Sequence, residues 1–345
     1  MADKRVTVQD IADSLGFSRN TVSKVLNGTG NISEKTRNIV LQRAAEMKYK
    51  QFSFSSGNIL PKEHGNIALL TYNMPNKSHF GSMLLSGLEE KISKEGYNLS
   101  IHILRETELL SLALPNNFDP KSVDGIVCIE LFDPKYSELI CSLGLPTIFA
   151  DTFPEISHRQ LSTDVIMMEN HNSICMMMQK LIDSGVSQFG FVGDRNHCCS
   201  FHERWEGFCS ALAENNLPQK MDSCILEDDH CPYSDPVWLL EKLEKIPNLP
   251  EAFVCANDFL AISLINALKR KNISVPEDLL VCGFDDSPES KIIDPKLTTV
   301  HIFSSEMGFL GAQMLLNRIH EPSLPFQISH VRTQPKFRAS TGGIL

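Results

Sequence analysis

No stretch of the sequence approaches the roughly 18 consecutive apolar residues that a membrane-spanning helix needs. The first residues, Met-Ala-Asp-Lys-Arg, lead into polar sequence and lack the apolar run of a signal peptide. No Gly-x-Gly-x-x-Gly follows the first β-like run, and no Gly-Lys-Ser/Thr loop occurs, so dinucleotides and nucleoside triphosphates lack a phosphate-binding loop. These absences predict a soluble cytoplasmic protein with no membrane partner and no nucleotide cofactor.

The ten cysteines are scattered through 345 residues, mostly in apolar runs, which is typical of reduced thiols rather than of a disulfide scaffold. One segment, Asp-Arg-Asn-His-Cys-Cys at 194–199, has the residue types of a metal or redox site, with His202 close behind. However, adjacent cysteines rarely chelate one ion together, and no second pair with zinc-type spacing accompanies them. We therefore expect no metal and no cofactor.

Charge is distributed unevenly along the chain. Residues 1–50 contain nine Lys and Arg against five Asp and Glu, a net charge of +4, so the remaining 295 residues must carry −14 to give the overall −10. The overall negative charge argues against non-specific coating of nucleic acid. A small basic head on an acidic body instead indicates that one end of the chain contacts a polyanion.

The basic head has the signals of three short helices. Thr7 and Asp10 form a capping box before apolar residues at helical spacing, and Gly16 supplies the positive φ of a tight turn. Ser18 then caps a second helix, and a third helix begins at Ser33 and runs to about residue 48. Two helices joined by a Gly-containing turn predict a helix-turn-helix, whose second helix enters the DNA major groove.

The second helix has one apolar stripe, formed by Val22, Val25 and Leu26, and one face of hydrogen-bonding groups. The polar face carries two cations, two amides and no carboxylate, on Arg19, Asn20, Ser23, Lys24 and Asn27. A solvated face usually mixes Glu with Lys, and for an isolated helix solvation is as good an explanation as DNA contact. The helix-turn-helix context favours contact with base edges.

The third helix is expected to bury four apolar side chains, Ile39, Val40, Ala44 and Met47. Its basic residues, Lys35, Arg37 and Lys48, are then free to contact DNA phosphates, which position a protein without specifying sequence. Simple solubility is the alternative explanation for these charges.

From residue 66 onward, short apolar β-like runs alternate with amphipathic helical ones. The first set occupies 67–70, 83–94, 99–104, 125–129, 134–143 and 147–150, and the second occupies 189–192, 201–214, 224–226, 253–255, a helix from about 258, and 279–284. This alternation predicts two doubly wound parallel-sheet lobes. Because ligands bind outside the carboxyl ends of such strands, the cleft between the lobes is the expected ligand site.

Three segments of the head carry a family resemblance: Val-Thr-Val-Gln-Asp-Ile-Ala at 6–12, Gly-Phe-Ser-Arg-Asn-Thr-Val-Ser-Lys-Val-Leu-Asn at 16–27, and Ser-Glu-Lys-Thr-Arg at 33–37. In order, spacing and residue type they closely resemble the head of the lactose-repressor (LacI/GalR) family. The resemblance continues in the body with Arg-Trp-Glu-Gly-Phe at 204–208, Cys-Ala-Asn-Asp at 255–258, Val-Pro-Glu-Asp at 275–278, Gly-Phe-Asp-Asp at 283–286 and Leu-Thr-Thr-Val at 297–300. It therefore covers essentially the whole chain.

The resemblance implies a small all-α helix-turn-helix head and an α/β periplasmic-binding-protein-like body of two doubly wound parallel-sheet lobes. We expect the head at 1–50, a hinge or linker at 51–64, and the effector-binding and dimerising body at 65–345. The first lobe is expected at about 65–160 and 300–322, and the second at about 161–299 and 323–345.

The linker departs from the family pattern. Where the family has Pro-Asn-x-x-Ala-Arg-x-Leu, this chain has Gln-Phe-Ser-Phe-Ser-Ser-Gly-Asn at 51–58. We expect weaker helix formation there, and no leucine wedge in the minor groove unless Ile59 or Leu60 supplies it in another register.

In the head, the resemblance implies base contacts from Arg19, Asn20 and Lys24, with Arg suited to guanine and Asn to adenine. The full set of expected DNA-binding residues is Thr7, Ser18, Arg19, Asn20, Thr21, Ser23, Lys24, Asn27 and Ser33.

In the body, the resemblance implies that Arg204 and Asp258 form hydrogen bonds with ligand hydroxyls. The expected effector-binding residues are Phe80, Asp151, Arg195, Arg204, Asn257 and Asp258. Asp258 alternatively caps a helix, and Asp151 alternatively ends a strand at a turn. Thr152 stands where the family often has Arg, and His301-Ile302 stands where a polar Gln is common, so the pocket is atypical.

Together these inferences predict a sequence-specific transcriptional regulator, a repressor that binds palindromic double-stranded DNA as a homodimer. Its affinity for DNA is expected to respond to a small molecule bound in the cleft, and the family resemblance favours a sugar. Alternative effectors are a nucleobase or a protein co-regulator. A second alternative is a ligand-binding protein whose head binds DNA weakly, because the linker is atypical. An enzyme is not expected, since no nucleophile with a base and an orienting partner was found.

Overall fold

The computed structural model describes residues 6–26, 32–47, 49, 65–72, 79–154, 156 and 161–343. The predicted contact residue Asn27, the basic residue Lys48 and the linker 51–64 lie outside the described residues. The chain divides into two compact units, a head up to residue 63 and a body from residue 64 onward. No helix in the described part of the chain is long and apolar enough to cross a membrane.

The head consists of α1 (Val8–Leu15), α2 (Arg19–Leu26) and α3 (Glu34–Glu46). The predicted capping box is confirmed, because the Thr7 side chain accepts from the Asp10 amide while the Asp10 carboxylate accepts from the Thr7 amide. Gly16 ends α1 at φ 68°, in the left-handed region that favours glycine. The three helices enclose one small apolar core.

The inner face of α3 differs in part from the prediction. Val40 and Ala44 are fully buried and Met47 packs against the same core, but Ile39 is 40% exposed and was wrongly assigned inward. Val40 and Ala44 lie four residues apart and therefore share one helix face, whereas Ile39 is displaced by about 100° around the axis. Tyr49, beyond the helix, completes the core instead.

The first lobe of the body is built on a six-stranded parallel sheet, in the order β10-β5-β4-β3-β1-β2. Its strands are β1 (Asn66–Thr71), β2 (Asn98–Ile103), β3 (Gly125–Ile129), β4 (Thr147–Ala150), β5 (Asp164–Met168) and β10 (Ile328–Val331). The sheet is covered on both faces, so Ile67 and Leu69 enter one core while Ala68 and Leu70 enter another. Burial on both faces explains why these strands are continuous apolar runs.

The helices of the first lobe are α4 (His79–Lys94), α5 (Glu106–Ser111), α6 (Pro134–Ser142) and α12 (Ser304–His320). The helices α4 and α12 pack closely through glycines: a Cβ on Gly87 would lie 1.8 Å from the Ser305 carbonyl oxygen, and one on Gly308 would lie 2.0 Å from the Leu84 oxygen. Only glycine permits backbones to approach this closely.

The second lobe has a smaller parallel sheet of three strands, in the order β6-β7-β8. These strands are β6 (Phe189–Val192), β7 (Ala252–Cys255) and β8 (Leu280–Cys282), and the antiparallel pair β9 (Thr299–His301) and β11 (Gln334–Lys336) lies beside them. The helices of this lobe are α7 (His171–Asp183), α8 (Cys199–Glu214), α9 (Pro236–Glu244), α10 (Asp258–Arg270) and α11 (Pro288–Ile292).

The structure corrects three predictions from the sequence: the lobe of β5, the lobe of β10 and the strand at 224–226. The strands β5 and β10 belong to the first-lobe sheet, although 161–299 and 323–345 were assigned to the second lobe. An apolar run shows that a strand exists but not which sheet it joins, so the places where the chain crosses between lobes were misjudged. The run 224–226 is not a strand, since only Ile225 makes an isolated bridge to Val192.

Candidate DNA-binding helix and interlobe site

The orientation of α2 is fixed by its buried side and its cap. Val22 and Val25 are 0% and 4% exposed and pack against the core of the head. The Ser18 hydroxyl lies 3.0 Å from the Thr21 amide, which donates to it and closes the first turn. Because these contacts hold the inner side of α2, its opposite side faces outward.

The outward side of α2 carries the predicted base-contacting residues. Arg19, Asn20 and Lys24 are all exposed, while Thr21 and Ser23 are half-buried at the edges of this face. Two cations and an amide, without a carboxylate on the same helix, form a surface that attracts DNA phosphates and can donate to base edges. The geometry is that expected of a recognition helix.

The other predicted DNA-binding residues have local structural roles. Thr7, Ser18 and Ser33 each accept a hydrogen bond from an amide in the first turn of their helix, at 3.3, 3.0 and 3.2 Å. Their side chains therefore stabilise the three helix N-termini, which also point backbone donors towards any bound anion.

In the body, Arg204 occupies the centre of the predicted site but is only 2% exposed. Its Nε donates to Asn170 Oδ1 at 3.0 Å and its Nη1 donates to the Ala256 oxygen at 2.6 Å. Nη1 also lies 3.6 Å from Asp285 Oδ1, and the guanidinium carbon lies 3.7 Å from the centre of the Phe284 ring. These contacts satisfy the buried charge within the second lobe.

Asp285 is the most exposed polar partner of Arg204, with a side chain that is 27% exposed. Burial raises the pKa of its carboxyl and Asp258 adds to the rise, although Arg204 opposes it. The next residue, Asp286, pairs with Arg338 and with Lys291. Burial alone would raise the pKa of Asp286, but these two cations outweigh it and the pKa is lowered. The pKa values of the two adjacent carboxyls thus shift in opposite directions, because Asp286 pairs with two cations whereas Asp285 faces one cation and the carboxyl of Asp258.

Asp258 does not cap its helix. The N-cap of α10 is Asn257, whose side chain accepts from the Leu260 amide at 2.9 Å. The Asp258 carboxylate instead accepts from Thr299 Oγ1 at 2.5 Å and from the Ser287 amide at 2.8 Å, and the residue is 1% exposed. The capping alternative for Asp258 was therefore wrong, and its carboxylate joins α10 to the loop after β8 and to β9.

Asp151 follows β4 in the first lobe and contacts the second lobe. Its φ is 61°, and its carboxylate accepts from Ser200 Oγ at 2.6 Å, with Ser200 on α8. Two predicted effector residues remain. Phe80, near the start of α4, is half-buried. Arg195, after β6, is exposed, and its guanidinium carbon lies 5.6 Å from the centre of the Trp205 ring. Arg204 thus interacts electrostatically with Asp151 and with Asp285, and Asp258 interacts with Asp285.

The cluster at 194–202 does not converge on a single point. His197 contacts Asp229 and lies between the rings of Phe132 and Phe201, whereas His202 faces Glu206. Burial raises the pKa of both Cys198 and Cys199, which disfavours the reactive thiolate. Among the described residues no group of three or more metal-binding side chains is arranged to hold an ion.

Sequence reasoning missed Asp285, Ser200 and Asn170 as parts of this site. Asp285 lies in the Gly-Phe-Asp-Asp segment quoted for the family resemblance, directly after β8, so its place at a strand end was an available signal. Ser200 and Asn170 gave no such signal, because their partners are 49 and 34 residues away in sequence.

Comparison with known proteins agrees with this architecture. The family model for bacterial regulatory proteins of the lacI family matches residues 7–51, and the periplasmic binding protein-like domain matches residues 178–341. A relative described as the HTH-type transcriptional repressor PurR, from Pasteurella multocida strain Pm70, is 28% identical over 92% of this chain and 93% of its own length.

Solved structures show the same fold. The structure described as a transcriptional regulator CelR-cellobiose complex aligns with a TM-score of 0.70 at 21% identity, over 97% of this chain and 100% of that chain. A lac repressor dimer bound to operator and the anti-inducer ONPF aligns with a TM-score of 0.67 at 20% identity, over 98% and 99% of the two chains. The fold class expected from the sequence is confirmed. The chain therefore combines a DNA-binding domain of the lacI family of bacterial regulatory proteins with a periplasmic binding protein-like domain, and it is a DNA-binding transcriptional regulator.

Proposed function

We propose that this protein is a cytoplasmic repressor that binds a palindromic operator as a homodimer and releases or retains DNA in response to a sugar bound between its lobes. The observation that carries the proposal is the outward face of α2, with exposed Arg19, Asn20 and Lys24 and no carboxylate. One such helix covers only a half-site, so two copies related by a two-fold axis are needed for a palindrome.

On this proposal, Arg19 donates to guanine and Asn20 pairs with adenine in the major groove, while Lys24 contacts a further base or phosphate. Thr7, Ser18, Thr21, Ser23, Asn27 and Ser33 position the head on the backbone. Similar proteins support repression and operator binding, since one is a transcriptional repressor and another is a dimer bound to operator.

The effector site of the proposal centres on Asp285 and Arg204. A carboxylate that accepts and a guanidinium that donates suit the paired hydroxyls of a sugar, and the half-buried ring of Phe132, which follows β3 in the other lobe, offers an apolar face. Phe80, Asp151, Arg195, Asn257 and Asp258 complete the proposed surroundings. The similar regulator described as a cellobiose complex supports a sugar as the ligand class.

DNA recognition is tested by selecting bound sequences from a randomised duplex pool with the wild-type protein, Arg19→Ala and Arg270→Ala. Arg270 is an exposed cation in the last turn of α10 and serves as the charge-matched control. We expect a palindrome from the wild type and from the control, and its loss in Arg19→Ala. Equal enrichment in all three proteins, or salt-sensitive binding without a sequence preference, would contradict the proposal.

Effector binding is tested by titrating a panel of mono- and disaccharides, nucleosides and nucleobases while recording tryptophan fluorescence, to which Trp205 on α8, beside Arg195, and Trp238 on α9 contribute. We expect one sugar to shift the signal in the wild type and in Asp235→Asn, a cap of α9 in the same lobe, but not in Asp285→Asn. A response to a nucleobase alone would refute the sugar assignment.

A further inference from the structure

The helix α8 begins without a cap from its own segment. Its N-cap residue is Cys198, whose side chain makes no capping hydrogen bond to a first-turn amide, although its Sγ lies 3.1 Å from Ser200 Oγ. The helix belongs to the second lobe, where Trp205 and Phe208 pack against Phe191 of β6. The first-turn amides of any helix need acceptors from outside the helix.

Those acceptors are supplied by the first lobe. The Cys199 amide donates to the Thr152 carbonyl oxygen at 2.6 Å, and the Ser200 amide donates to Asp151 Oδ1 at 3.2 Å. The Ser200 hydroxyl donates to Asp151 Oδ2 at 2.6 Å. A carboxylate at a helix N-terminus also interacts favourably with the helix dipole. The helix α8 is therefore capped across the lobe boundary.

The backbone conformation of Asp151 and the burial of its carboxyl group are both energetically unfavourable. The residue is 6% exposed and has a φ of 61°, a backbone conformation that non-glycine residues rarely adopt. Burial raises the pKa of its carboxyl, and bonds from Ser200 and from the Thr152 amide oppose the rise. A buried carboxylate is unfavourable without such partners, so separation of the lobes would remove stabilising contacts from both the carboxylate and the helix.

Other contacts join the first lobe to the same region. His330 of β10 lies 3.0 Å from Glu203 of α8, and the Phe132 ring after β3 lies 5.0 Å from the His197 ring just before α8. The start of α8 is thus fixed from the first lobe at several points, and Arg204 follows only four residues after Ser200.

We propose that Asp151 is a positioning residue rather than an effector ligand: it forms an interlobe cap that ties the placement of α8, and with it Arg204, to the closure of the two lobes. The proposal deepens the effector control proposed above and rests on it for its biological purpose. A ligand that requires a different lobe spacing must then break this cap, whereas a ligand that fits the capped arrangement preserves it.

Residue-resolved hydrogen exchange on the full-length protein, without DNA or sugar, tests the cap. The variants are Asp151→Ala, Asp151→Asn, Ser200→Ala and Asp133→Ala. Asp133 is the matched control, because it caps α6 entirely within the first lobe by accepting from the Tyr136 amide at 2.7 Å.

We expect Asp151→Ala to raise exchange about fivefold at Ser200 and also at Cys199, since loss of a helix cap costs about 1 kcal/mol. The Cys199 amide is the decisive position, because its acceptor is Thr152 and not Asp151. If Asp151 were a local cap only, Cys199 would remain protected. Asp151→Asn should stay within twofold of the wild type, because its amide oxygen still accepts, and Ser200→Ala should give a smaller rise at Cys199.

The cap is refuted if Asp151→Ala leaves Cys199 exchange unchanged, or if Asp133→Ala raises exchange at Cys199 as much as at Tyr136. If Asp151→Ala does not fold, Ser200→Ala decides alone: a rise at Cys199 supports the cap and no rise refutes it. Because the experiment contains neither DNA nor sugar, failure of the cap is distinct from failure of the proposed function, which would appear as absence of DNA selection by the wild type.

Discussion

Replacement of Arg204 by alanine tests the interior of the candidate effector site. The change removes the donors to Asn170 and Ala256 and the charge that faces Asp285. Breaking a buried charge pair by deleting one partner costs about 3–5 kcal/mol, because the other partner keeps its desolvation penalty. Asp285 is 27% exposed and recovers some hydration, so we expect a loss of about 3 kcal/mol, at the lower end of that range.

The assay is urea unfolding followed by circular dichroism, applied to Arg204→Ala, Arg204→Met and the double variant Arg204→Met/Asp285→Asn. Since the double variant removes both charges and retains apolar volume beside Phe284, we expect it to be more stable than Arg204→Met by about 1–2 kcal/mol. A loss below about 1 kcal/mol for Arg204→Ala would show that the buried contacts are weaker than the geometry implies. No recovery in the double variant would show that Arg204 and Asp285 are not coupled.

Three further predictions concern packing, pH and DNA. Gly87→Ala should destabilise the first lobe by several kcal/mol, because its Cβ would lie 1.8 Å from a backbone oxygen, whereas Gly311→Ala, whose Cβ would meet a methyl group at 3.2 Å, should change the thermal midpoint little. The hydrogen bond to Glu203 raises the pKa of His330, so this pair stabilises the protein below pH 6.5 and the contribution is lost as pH rises through the folded-state pKa; His330→Gln should therefore cost more stability at pH 6 than at pH 8 in urea unfolding. Arg37→Ala should weaken binding to all duplexes equally. The slope of log K against log salt concentration, measured by fluorescence anisotropy, should become shallower by about 1, because one phosphate contact is lost.

The head was largely predictable because its signals are local. Caps at Thr7, Ser18 and Ser33 and the left-handed turn at Gly16 depend on residues within three or four positions, and each occurs where the sequence indicated. Ile39 was misassigned because several adjacent apolar residues leave the phase of a helix ambiguous until its neighbours are known.

The body was predictable as a class but not in its connections. Alternating runs indicate α/β lobes, yet whether β5 and β10 join the first or the second sheet depends on where the chain crosses, which no local pattern specifies. Asp151 was expected at the ligand, but its partner Ser200 is 49 residues away, on the other lobe. Contacts between distant segments depend on packing, and a single sequence does not reveal them.

Recognition of base edges by Arg19 is the central claim, and substitution of one atom in the DNA tests it most directly. In the operator obtained by selection, the guanine assigned to Arg19 is replaced by 7-deazaguanine, which removes the N7 acceptor and retains base pairing. We expect the wild-type protein to lose about tenfold in affinity, and Arg19→Ala to bind both duplexes equally. An equal loss in the two proteins, or no loss in the wild type, would contradict major-groove recognition through this face of α2.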